Sequence, residues 1–147
     1  MKILFISIGK NHDSDLGSPI LDYTKRLEKY FKTEWKIIPS SDVKKEGEQI
    51  LKNIDSGDYV LALDEKGKEV STLELAGLVE KRMIAGDKRL VFVIGGSYGL
   101  DQTVLEKANY IWSLSKLTFP HQIVRLVLTE AIYRAVSVIK NEPYHHR

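Results

Sequence analysis

The chain has 147 residues, 43% hydrophobic and 29% charged, with 10 glycines and 4 prolines. That balance suits one folded domain spanning 1–147 and excludes disordered, fibrous or two-domain chains. It contains no cysteine, which rules out disulfides, thiolate zinc sites, iron–sulfur clusters and cysteine nucleophiles and accords with a cytoplasmic location. The net charge of +2 is unevenly placed: Lys116 to Arg147 holds five Lys or Arg against Glu130 and Glu142, together with three of the four histidines.

No apolar run approaches the ~20 residues of a membrane-spanning helix. The opening stretch reads instead as a buried first strand, Ile3 to Ile8. Ser18-Pro19 then offers an N-cap and first-turn pair for a helix with Ile20, Tyr23, Leu27 and Phe31 on one side. Trp35 to Pro39 reads as a second strand, and Asp42 to Asp55 as a helix carrying Val43, Ile50, Leu51 and Ile54. Tyr59 to Asp64 returns to a strand. Ser71 and Glu74 form a capping-box signature for a helix that Gly86 should stop. Leu90 to Ile94 is a further strand, Gly95-Gly96-Ser97-Tyr98-Gly99 breaks the chain, and a short helix with Val104, Leu105 and Ala108 precedes a strand from Tyr110 to Leu114. The last helix, from about His121 to Lys140, has an apolar surface wider than one core contact needs, which points to a homodimer. Five strands alternating with five helices imply an α/β architecture, a mostly parallel sheet flanked by helices. A TIM barrel would need about 250 residues.

Ligands of open parallel sheets bind beyond the carboxyl ends of the strands. The segments to watch are therefore Leu63-Asp64, Gly95 to Gly99, and Ser113 to Pro120. The glycine run matches neither the P-loop nor the dinucleotide fingerprint; it suits close approach to a ligand and a plain tight turn alike. The third segment places Leu114, Leu117 and Phe119 in irregular chain, where a planar ligand reading main-chain groups, or packing under a neighbouring element, would account for them. Arg125 and Arg134 on the last helix either grip phosphates or form its solvated face. Pro143-Tyr144-His145-His146-Arg147 combines a stacking ring, imidazoles and a guanidinium, as an RNA-contacting site would. Adjacent histidines without an H-E-x-x-H pattern give no metal site, and no G-x-S-x-G elbow occurs.

These residues together resemble the RlmH family of SPOUT RNA methyltransferases. The likeness runs through Ile8-Gly9-Lys10, Asp22 to Leu27, Glu46 to Leu51, Leu63 to Lys68, Phe92 to Leu100, Ser113 to Arg125, Tyr133-Arg134-Ala135 and Pro143-Tyr144-His145. The resemblance implies a C-terminal trefoil knot, a rarity that pattern reading alone would reject. It implies S-adenosylmethionine held at Leu63, Gly95, Leu114, Ser115, Lys116, Leu117, Thr118 and Phe119. It also implies a homodimer without a metal that methylates N3 of a pseudouridine in 23S rRNA of the assembled ribosome. Tyr144 and His145 would then approach the methyl group and target base, His145 as general base or as the group orienting the uracil-like edge. Arg125, Arg134 and Arg147 would hold RNA. Two departures stand out: the connection from Pro39 to Glu46 is short for the family, and His146 intervenes before the basic Arg147. A non-catalytic ribosome-associated module, or a SPOUT enzyme acting on tRNA, are the competing readings.

Overall fold

A computed structural model describes residues 1–146; Arg147, and with it the expected RNA contact at that position, lies outside the described residues. The elements are β1 (Lys2–Ile8), α1 (Gly17–Glu28), β2 (Lys32–Ile38), α2 (Val43–Lys52), β3 (Tyr59–Lys68), α3 (Thr72–Ala85), β4 (Arg89–Ile94), α4 (Gln102–Lys107), β5 (Tyr110–Trp112) and α5 (His121–Ile139). The strands form one sheet in the order β2-β1-β4-β3-β5, and every pair is parallel.

The order decides which helix covers which face. Crossovers from β1 to β2 and from β3 to β4 step one way along the sheet, and those from β2 to β3 and from β4 to β5 step the other. Because such connections are right-handed, α1 and α3 share one face and α2 and α4 the other. The longest helix, α5, packs between α1 and α3. Alternation along the central strands matches: Ile3, Phe5, Leu90, Phe92 and Ile94 join the core under α1, α3 and α5, while Leu4, Ile6, Ile8, Val91 and Val93 join the core under α2 and α4. Phe5 stacks on Trp35 and Phe92, with ring centroids 4.7 and 5.4 Å away.

The α3 capping box is present as expected, with Ser71 accepting from the Glu74 amide and Glu74 from the Ser71 amide; Gly86 ends the helix at φ 77°. Several boundaries differ from the sequence reading, β2 among them, which starts at Lys32 rather than Trp35. Helix α1 begins at Gly17 with no side-chain cap at Leu16, because Asp13 has taken that work: its carboxylate accepts from the Asp15 and Leu16 amides and its carbonyl from Gly17. Phe31 lies past the helix. Strand β5 stops at Trp112, where Ser113 turns its hydroxyl to the carbonyl of Ser115. Strand β3 runs four residues further than Asp64 by way of a bulge: Leu63 and Lys68 both lie opposite Trp112. Asp64 steadies the excursion by accepting from the Lys66 amide, and a Cβ on Gly67 would fall 2.6 Å from the Ile111 carbonyl oxygen.

Candidate active site

Strands β4, β3 and β5 are consecutive in the sheet, so the three segments singled out at their carboxyl ends emerge side by side. Leu63 closes the regular part of β3, Gly95 follows β4, and Leu114 to Phe119 follow β5. The glycine run makes a tight turn, with Gly99 at φ 81° and its amide bonded to the Gly96 carbonyl. A Cβ on Gly95 would come 3.0 Å from the Gly99 carbonyl carbon and oxygen and 3.1 Å from Leu100 Cδ2. Any other residue there would push the turn outward. Tyr98 at its tip is 90% exposed.

The loop after β5 is tied down at its edges. The Ser113 amide donates to the Lys68 carbonyl, the Leu117 amide to Ser115 Oγ, and Thr118 Oγ1 to Glu65 Oε2 at 2.8 Å. Among the described residues, the main-chain amides of Leu114, Ser115, Lys116, Thr118 and Phe119 have no partner. Leu114 and Phe119 are half-buried, but Leu117 stands 68% exposed, so packing under an element of the same chain does not account for it. The loop thus offers unpaired donors beside apolar side chains, the combination that recognises a flat, polar-edged ring.

The two arginines of α5 have separate fates. Arg125 is not on a solvated face. It is the largest fully buried side chain, with Nε donating to Ser7 Oγ at 2.8 Å and the terminal nitrogens reaching His12 Nδ1 at 3.3 Å and the Ile8 carbonyl at 3.4 Å. Burial lowers its pKa, and lowers those of His12 and His121, on which its charge acts next. Its expected grip on RNA phosphates is therefore corrected: the side chain is a strut between α5 and the end of β1. Arg134 is half-exposed and joins Glu130, with its Nη2 2.7 Å from Oε2.

Around that pair the C-terminal segment is folded back onto α1 and α5. Tyr144 donates to Glu130 Oε2 at 2.9 Å, so the 3.1 Å contact with Tyr23 has Tyr23 as donor. The Tyr144 ring lies 4.8 Å from Tyr133 and 4.6 Å from the Arg134 guanidinium carbon, and Arg134 Nη1 is 3.3 Å from His145 Nδ1. Burial, followed by these hydrogen bonds, drives the Tyr144 pKa upward. Burial pushes the Glu130 carboxyl up, but Arg134 and Tyr144 outweigh it and hold it below its ordinary range. The sequence reading gives Glu130, Tyr23 and Tyr133 no part in the site; the i, i+4 spacing of Glu130 and Arg134 is the available signal. Within one chain, the segment's hydrogen bonds among the described residues go to α1 and α5 and not to the loop after β5.

Comparison with known proteins settles the family. A family model described as "Predicted SPOUT methyltransferase" matches residues 1–145. The chain belongs to the SPOUT methyltransferase family. It is 45% identical over its full length, and over that of the relative, to a protein of Christiangramia forsetii named Ribosomal RNA large subunit methyltransferase H. Proteins of Parabacteroides distasonis and Clostridium botulinum with the same name are 44% and 43% identical, each with 99% of both chains covered. Among solved structures, tRNA (m1G37) methyltransferase from Aquifex aeolicus superposes with a TM-score of 0.59 at 17% identity, covering 100% of this chain and 76% of that one. A probable methylase family protein from Haemophilus influenzae gives 0.58 at 17% identity, covering 99% and 70%. The chain thus shares its fold with these two solved proteins. Among the described residues, no group of three His, Asp or Glu is placed to hold a metal ion, and no helix is long and apolar enough to cross a membrane.

Proposed function

We propose that this protein is an S-adenosylmethionine-dependent methyltransferase that methylates N3 of a pseudouridine in 23S rRNA of the assembled ribosome, acting in the cytoplasm as a homodimer with a C-terminal trefoil knot. The observation that carries the reading is the loop from Leu114 to Phe119, with its unpartnered amides, beside the Cβ-intolerant turn at Gly95 and the end of β3. Full-length likeness to proteins named as large-subunit rRNA methyltransferases supports ribosomal RNA over tRNA and a catalyst over a mere binding module.

S-adenosylmethionine, when bound, supplies an electrophilic methyl group. Leu63, Gly95, Leu114, Ser115, Lys116, Leu117, Thr118 and Phe119 would hold it, Gly95 by lacking a side chain and the loop by its main-chain donors. Transfer to a ring nitrogen is an in-line displacement, so the protein's task is to align the reacting atoms and exclude water. On α5, Ile123 and Val127 are each 40% exposed and fall on one stripe with Glu130 and Arg134. A second copy covering that stripe would bury the apolar pair and carry each Tyr144 and His145 toward the partner's loop.

The geometry favours one of the two roles expected of His145. Arg134 has only protons to give, so a hydrogen bond at this contact has His145 Nδ1 as its acceptor and leaves Nε2 as the protonated nitrogen of that tautomer. The outward edge of the imidazole is then a donor, suited to a carbonyl oxygen of the base, and orients the ring whose N3 proton departs to solvent. Tyr144, fixed by Glu130 and Tyr23, stacks or hydrogen-bonds beside it.

The test is transfer of a labelled methyl group to ribosomes from cells lacking this gene, with nucleoside mass spectrometry of the 23S rRNA and ribosomes lacking the pseudouridine as control. N3-methylpseudouridine on pseudouridylated ribosomes only is the expected result, and His145→Ala should slow its formation sharply while cofactor affinity stays within a few fold. Cofactor binding without incorporation would sink the substrate and turn attention to tRNA. Absence of cofactor binding would leave the non-catalytic module.

A further inference from the structure

A second cleft, of about 470 Å3, lies between the outer side of α3 and the β3–β5 edge of the sheet. Its lining includes Tyr59 and Tyr110 at the starts of β3 and β5, Lys68 at the end of β3, and Gly77 and Lys81 on α3. Neither Lys68 nor Lys81 forms an ion pair among the described residues. The nearby acid, Glu74, is held by its capping bonds to Ser71, and Arg82 pairs with Asp87. The cleft therefore presents two lysines outside any ion pair, Lys68 acting electrostatically on the Glu74 carboxylate that also lines the cleft, next to two half-buried phenol rings.

Gly77 is the second, independent observation. It sits in the middle of a 14-residue helix, where glycine is the poorest helix former after proline. A glycine inside a helix normally makes room for a neighbour, yet nothing in this chain lies within 4 Å of where its Cβ would be. The bare backbone faces the cleft, as it would if an outside molecule rested there. The position also fits: Lys68 at the rim accepts the Ser113 amide through its carbonyl, so the cleft adjoins the residue that opens the proposed cofactor loop.

We propose that this cleft is a second RNA-contact surface, in which ribosomal RNA backbone leaving the reaction site crosses Gly77 with its phosphates on Lys68 and Lys81 and a ribose or base against Tyr110. The inference rests on the reading of the chain as an rRNA methyltransferase. Phosphate chemistry accounts for the unpaired lysines, sugar and base faces for the tyrosines, and close backbone passage for the glycine.

The test measures the KM for ribosomes from cells lacking this gene, and direct binding to them, at several salt concentrations. Lys68→Glu with Lys81→Glu should raise KM about tenfold and flatten the slope of log KM against log salt by roughly 1.5, the share of two phosphate contacts. Lys36→Glu with Lys44→Glu, the same charge change at exposed positions on the opposite part of the molecule, should leave both at wild-type values. Gly77→Gln should hold or raise Tm, since any ordinary residue suits a helix better, while raising KM several-fold; this separates a blocked groove from a damaged fold. Equal KM and slope for the cleft and control pairs would overturn the assignment. A raised KM with unchanged slope would mean a protein surface instead, and would overturn it too. If the wild type neither binds nor methylates ribosomes, the function proposed above falls together with the cleft; methylation with an indifferent cleft removes only the cleft.

Discussion

The two ends of α5 use the same side chain for opposite purposes. Arg125, near its start, is enclosed among Ser7, Ile8 and His12 with no carboxylate in contact among the described residues. Arg134, nine residues on, is half-exposed, paired with Glu130 and laid over Tyr144. Nine residues advance a helix by two and a half turns, so the two arginines point roughly 180° apart. One face of α5 locks the helix to β1, and the other holds the segment that carries Tyr144 and His145. An arginine's type therefore says little until its phase on the helix is known.

The contrast can be broken most forcefully at Arg125. Replacing it with Ala should cost about 3 kcal/mol in urea unfolding, through the cavity and the stranded Ser7 hydroxyl and Ile8 carbonyl. Arg134→Ala should lie within about 1 kcal/mol of wild type, as expected of a half-exposed pair, while lowering methyl transfer on the order of 100-fold through misplacement of His145. If Arg134→Ala proves the more destabilising, the division of labour along the helix is wrong. A smaller effect is expected for Tyr144→Phe, about 1 kcal/mol for its bond to the Glu130 carboxylate, with a matching rise in protease sensitivity of the C-terminal segment.

The finest distinction is one of pH. His12 and His121 both have folded-state pKa values below the ordinary 6.5, through burial and then the charge of Arg125. As pH falls below 6.5, the unfolded chain takes up protons that the folded chain refuses, so stability is full above that value and is lost toward pH 5. Thermal melts from pH 7 to 5 should show this decline. His12→Gln should shrink it, and Arg125→Met should shrink it as well by removing the guanidinium; Arg134→Met should not.

The sequence is most informative where local chemistry decides. The Ser71–Glu74 box, the Gly86 stop and the strand Leu90–Ile94 all stand close to where the residues suggest. It misleads where a neighbour competes: Asp13 displaces Ser18 as the organiser of α1, and the bulge at Asp64 extends β3 beyond its apolar run. The three strand-end segments are legible as ligand positions because parallel sheets use those ends, but their adjacency depends on β3 lying between β4 and β5, a long-range fact no local pattern encodes. Arg125 was legible in principle. Leu128, Thr129, Ile132 and Val136 follow it at helical spacing and are all buried, so its face could be read from its neighbours rather than from its charge.

The return of β3 to Trp112 bears on the order in which the chain assembles. Trp35 meets Phe5 and His12, partners from the first third of the chain, whereas Trp112 has its full surroundings only after β5 has docked on β3 and residues 64–67 have arched back to place Lys68 opposite it. Contacts that close longer loops form later. With two tryptophans in the chain, refolding followed in Trp35→Phe and Trp112→Phe variants separates an early optical signal from a late one, and Trp112 becomes a built-in clock for completion of the β3–β5 side of the sheet.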